Sequence, residues 1–116
     1  MRHQGNTLRT YRTKNFSVVL REFPEHDHPE GTIATGDEEA DREYVRKIET
    51  GEYPWYCLVV EVYYRGHLIG ADSLGWCDTY DLAHLGARWM VKEAIRQARS
   101  YLEEFQNAHS LLARSG

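Results

Sequence analysis

The sequence has little of what usually makes chemistry easy to recognise. Its 116 residues hold two cysteines, two methionines, three prolines and three phenylalanines. Two cysteines are too few for the disulfide framework of a small secreted scaffold. Three prolines leave no room for a proline-rich linker. No apolar run approaches the ~20 residues a membrane-spanning helix needs. The first residues, MRHQGNTLRTYR, are basic but contain no apolar stretch, so no secretory leader is expected. A glycine-rich phosphate loop, a nucleophile elbow and a zinc motif of usual spacing are all missing. These absences point to a cytoplasmic chain forming one domain over residues 1–116. They assign no catalytic residue, no metal and no cofactor.

What is present is organised around residues 55–105. Leu58 to Tyr64 is rich in β-branched and aromatic residues, which suit a pleated, half-buried surface. Arg65-Gly66 predicts a tight hairpin turn, with Gly66 at positive φ. Pairing Tyr64 with His67 then sets Val62 against Ile69, Val60 against Ala71 and Leu58 against Ser73. The core face would be Leu58, Val60, Val62, Ile69 and Ala71. The opposite face would be Cys57, Val59, Glu61, Tyr63, Leu68, Asp72 and Leu74. A slip of one residue would exchange these faces. Cys57 and Cys77 point to opposite faces in this register and are expected to stay reduced.

A long amphipathic helix follows, capped near Thr79 or Asp81. Its core stripe is Ala87, Met90, Val91, Ala94, Ile95, Ala98, Tyr101, Leu102 and Phe105, a helical period over about five turns. Leu82, Leu85 and Trp89 fall on the other side of that wheel. Irregular turns around Gly86, a covering element or a homodimer interface would each account for them. Before the hairpin, Leu8–Arg12 reads as a short edge strand and Phe16–Phe23 as an alternating strand, joined by Thr13-Lys14-Asn15. Pro24–Gly36 reads as a loop. DEEADREYVRKIET reads as a short acidic helix with Thr35 and Glu38 forming a capping box, and Gly51 stops it. The expected fold is α+β: an antiparallel β-sheet of about 3–4 strands, one long C-terminal helix and one shorter acidic helix.

Charge is segregated. Residues 1–21 carry five cations and no acid, residues 22–61 carry twelve acids against three cations, and residues 62–116 balance at six of each. An acidic block favours fast encounter with basic partners, including proteins whose natural ligand is a nucleic-acid backbone. Exposed aromatics beside it would supply contact area at low entropic cost. The expected partner-binding residues are therefore Asp37, Glu38, Glu39, Asp41 and Glu43 with Tyr53, Trp55, Tyr56, Tyr63 and Trp76. Two other readings remain. Arg88, Lys92, Arg96 and Arg99 lie near one line of the long helix and could meet phosphates. The net charge of −4 weighs against strong nucleic-acid binding, and pairing of Arg99 with Glu103 would neutralise part of the line. His26, Asp27, His28 and Glu30 could also ligate a divalent ion and support a metal-dependent enzyme.

The stretch PWYCLVVEVYYRGHLIGADSLGWC, followed by the amphipathic helix, resembles small α+β accessory proteins of phages and mobile elements, among them anti-CRISPR proteins. The likeness covers residues 53–105 and lies in size, layout and acidity, so it transfers no site residue. It implies a non-enzymatic inhibitor in the bacterial host cytoplasm, with a protein partner such as a CRISPR-Cas effector or a nuclease.

Overall fold

The computed structural model describes residues 5–115, and side chains through residue 107. Four strands form one antiparallel sheet in the order β1 (Asn6–Arg12), β2 (Ser17–Pro24), β3 (Tyr56–Tyr64) and β4 (His67–Cys77). Two helices interrupt the chain between β2 and β3: α1 (Pro29–Thr32) and α2 (Glu38–Glu49). The long helix α3 (Ala87–Ser115) follows β4. The α+β class, the antiparallel sheet, the long last helix and the shorter acidic helix are as expected from the sequence. The loop over Pro24–Gly36 is not wholly irregular. Pro29 sits buried at the first position of α1, where a missing N–H costs nothing, and His28 Nδ1 accepts from Glu30 N at 3.2 Å.

The core lies between one sheet face and α3. Val18, Leu20, Leu58, Val60 and Val62 are buried against Met90, Val91, Ala94 and Ala98. α3 packs directly on β3 and β4. Gly70 explains how closely. A Cβ there would stand 2.3 Å from Ala94 O and 3.2 Å from Ala98 Cβ. Helix backbone therefore rests on strand backbone, which only small residues on both sides allow.

That contact changes the expected register. The hairpin turn is as read, with Arg65 (φ 51) and Gly66 (φ 81) both left-handed, as a primed turn requires. Beyond Tyr63↔Leu68, however, a bulge at Ile69 pairs Val62 with Gly70, Val60 with Asp72 and Leu58 with Leu74. Gly70 thus replaces Ala71 on the α3 side, and Ala71 is exposed. Asp72 and Leu74 move off the face predicted for them. Ile69 still packs partly on the core. A second irregularity between Tyr56 and Leu58 sets Cys77 opposite Tyr56. Cys77 is buried, Cys57 is half-buried, and both are free thiols.

Two further boundaries differ from expectation. Asp37 caps α2, its carboxylate accepting from Ala40 N at 3.1 Å. Thr35 does not cap the helix. Its N–H and hydroxyl donate to the Asp41 carboxylate at 2.9 and 2.6 Å, tethering the preceding loop. α3 begins at Ala87, with Gly86 O accepting from Trp89 N and Met90 N, and not at Thr79 or Asp81. Gly86 has φ +75, and the turns before it are irregular. Leu82 and Leu85 turn inward to pack on the core, while Trp89 remains 71 % exposed. The inner stripe holds through Leu102, but Tyr101 and Phe105 are 53 % and 60 % exposed. The helix there has overrun the sheet.

Gly70→Ala should lower stability by about 1–3 kcal/mol, the usual cost of overpacking. The clash is with backbone, which no rotamer change relieves. Urea unfolding checks this. A stability equal to wild type would mean that α3 does not rest on Gly70.

Candidate functional site

The expected contact residues do not form one patch: Trp55 and Trp76 meet at one end of the sheet, and the others take separate places. The strand ends Pro24, Tyr56 and Cys77 lie side by side. From this end the chain leaves β2 into the acidic loop and enters β3 through Tyr53 and Trp55. It leaves β4 just after Trp76 and Cys77 and continues through Asp78 and Tyr80.

Asp27 ties these pieces together. Trp55 Nε1 donates to its backbone carbonyl at 2.8 Å, and Trp76 Nε1 donates to its carboxylate at 2.9 Å. Glu25 accepts from Trp76 N at 2.7 Å. Trp76 holds φ 57, a left-handed conformation that costs a non-glycine residue about 1–3 kcal/mol. It persists because two acceptors fix its backbone and indole together. The ring is nevertheless 53 % exposed. The acidic helix joins the same end through the Tyr44 hydroxyl, which donates to the Asp78 carboxylate.

The other expected residues separate. Tyr56 is 3 % exposed and belongs to the core, so it offers no edge-on contact surface. Its hydroxyl donates to Thr79 O at 2.7 Å, and its ring stacks on Tyr80 at 4.9 Å. Tyr53 packs on Tyr44 at 5.6 Å, beneath Lys47. Tyr63 lies on the sheet face away from α3, donating to Glu61, which also pairs with Arg21 at 2.5 Å. On α2, Asp37 and Asp41 are engaged as described, and Glu43 pairs with Arg46. That guanidinium lowers the Glu43 carboxyl pKa. Glu38 and Glu39 are exposed and make no side-chain ion pair among the described residues. Sequence reasoning missed Tyr80. It is 54 % exposed at this end, and its hydroxyl donates to Glu22 at 2.7 Å. Its only signal was position, since it lay in a stretch read as the helix cap.

Comparison with known protein families, curated proteins and solved structures finds no match. The reading of this end therefore rests on its own geometry.

The loop histidines do not form the ligand set their spacing suggested. His28 and Glu30 come together with Glu49, their ligand atoms within 4.8 Å, while His26 stands outside and Asp27 is held by the tryptophans. His28 Nδ1 already accepts the α1 cap hydrogen bond. A metal ion bound at Nδ1 would displace that cap. Among the described residues neither thiol is hydrogen-bonded to a histidine, and Cys77 Sγ contacts Leu74 O at 3.2 Å. Burial raises the pKa of both cysteines, which leaves little thiolate near neutrality. Along α3, Arg88, Lys92, Arg96 and Arg99 are all exposed. Arg96 pairs with Glu93, and no ion pair joins Arg99 to Glu103.

Two outcomes follow. A disulfide reagent at pH 8 should label Cys57 first and reach Cys77 only on unfolding. Equal rates in native protein would contradict the burial of Cys77. Burial also raises the Tyr56 pKa, so its neutral form stabilises the fold at lower pH. That contribution should be intact below pH ~10, where unfolded tyrosine keeps its proton, and decline above it. Tyr56→Phe should cost about 1 kcal/mol at pH 7 through the lost hydrogen bond and flatten the alkaline decline. Tyr80, whose pKa the Glu22 hydrogen bond raises, should leave a residual slope. Denaturation curves at pH 7 and above 10 measure both effects.

Proposed function

We propose that this chain is a non-enzymatic protein-binding module, and that its partner presents a basic surface of the kind that handles nucleic acid. The observation that carries this reading is the meeting of the acidic segment with half-exposed aromatics at one end of the sheet. Trp76 and Tyr80 are held by hydrogen bonds to Glu25, Asp27 and Glu22, so little side-chain entropy is lost when a partner covers them. Carboxylates around them steer a basic partner and raise its association rate. The finer reading is an inhibitor of host nucleic-acid machinery, such as a CRISPR-Cas effector or a nuclease, carried by a phage. Its support is the layout likeness together with this acidic, aromatic end.

The charge test belongs on Glu38 and Glu39. Asp37 and Asp41 hold the cap and the loop tether, and reversing them would disturb folding. Immobilised protein should capture a nucleic-acid-processing protein from a bacterial lysate at low salt. Glu38→Lys with Glu39→Lys should weaken that capture more than tenfold, and Trp76→Ala should weaken it further. Undiminished capture by both variants would exclude this end as the binding surface.

A further inference from the structure

A groove at the acidic end has the chemistry to take one particular side chain. It is lined by Glu22, Pro24, Pro54, Trp55, Tyr56 and Tyr80, and encloses about 240 Å³. Drug-sized ligands occupy pockets of about 300–1,000 Å³, so this volume suits one side chain better than a separate metabolite. We propose that the groove binds an arginine side chain of the partner protein. The inference rests on the protein-binding reading above and names the group that reading leaves open.

Three features select the guanidinium. Tyr80 stacks on Tyr56 with an interplanar angle of 23°, and its hydroxyl is fixed on Glu22 Oε2, so its ring is oriented before any ligand arrives. A planar cation stacks on such a ring and gains from its quadrupole. Glu22 has no ion-pair partner among the described residues. Among the described residues its other oxygen accepts just a 3.3 Å contact from Asn6. A half-buried carboxylate with acceptor capacity to spare favours an incoming cation that brings several donors. Finally, no lysine or arginine lines the groove among the described residues, whereas Glu25, Asp27, Asp78 and Asp81 stand near it in the chain path. Arginine can stack and donate in its own plane at once. Lysine, a compact and strongly hydrated point charge, can do only one of these well.

The test titrates the full isotope-labelled chain with N-acetylargininamide, following the Trp55 indole N–H and the Tyr80 ring by NMR. A saturable shift with a Kd on the order of 1 mM is expected for so small a probe. N-acetylcitrullinamide, the neutral isostere, and N-acetyllysinamide should bind several-fold more weakly. Glu22→Gln should weaken arginine binding about tenfold. Tyr80→Ala should abolish saturation, and Tyr80→Phe should keep it, because the ring and not the hydroxyl carries the stacking. Tyr80 is half exposed and outside the core, so these variants should fold. A shift that never saturates, or equal binding of the citrulline probe, would overturn the proposal. Equal binding of the lysine probe would overturn the choice of arginine. Loss of arginine binding with lysate capture intact would sink this inference alone. Arginine binding without capture would sustain it and count against the wider reading.

Discussion

The fold depends on one close approach, the backbone of α3 lying against the backbone of β4 at Gly70. Ala94 and Ala98 on the helix and Gly70 on the strand have the smallest side chains available, and both alanines are fully buried. A side chain at Gly70 would have no space, because the obstacle is a helix carbonyl. The bulge at Ile69 follows from this, since it is what turns Gly70 toward the helix. The core then has two parts: a thin backbone contact over β4, and a thicker layer where Met90 and Val91 meet the valines and leucines of β2 and β3.

The same packing sets where the helix begins and how far it overhangs. α3 starts only after the chain has turned over the end of the sheet, because Leu82 and Leu85 must first reach the core. It then runs 29 residues, longer than the sheet can support, and the molecule extends to 68 Å along one axis. Tyr101 and Phe105 sit where the cover ends. With Leu68 and Ile69 at the hairpin tip they line a groove of about 600 Å³, far from the acidic end.

Charge follows the strand direction. The β2 exit, the β3 entry and the β4 exit share one end, so an acidic stretch of sequence becomes an acidic end of the molecule. The turns carrying Lys14 and Arg65 lie at the other. At the acidic end, hydrogen bonding divides the carboxylates into two kinds. Asp27, Asp37 and Asp41 hold the local structure, while Glu38 and Glu39 face water and have no ion-pair partner among the described residues. Only the second kind can be altered without disturbing the frame.

By itself the sequence determined the local elements. Alternation in FSVVLREF, β-branched residues in LVVEVYY, the Arg65-Gly66 turn and the helical spacing from Ala87 to Ala98 are legible because each depends on neighbours a few residues away. Gly51 and the acidic first turn of α2 are legible for the same reason. The tertiary structure decided the register of β4, the start of α3 and the membership of the aromatic cluster. Each depends on contacts between residues distant in sequence. Nothing near Gly70 in the sequence marks it, and its role appears only where Ala94 lies against it. Tyr56 read as exposed until Tyr80 and Thr79 covered it, and Tyr80 gained meaning only beside Glu22, 58 positions earlier. Local spacing carries no information about which distant residue will press on a given side chain. Packing supplies that, and here it selected one set of aromatics for the core and another for the surface.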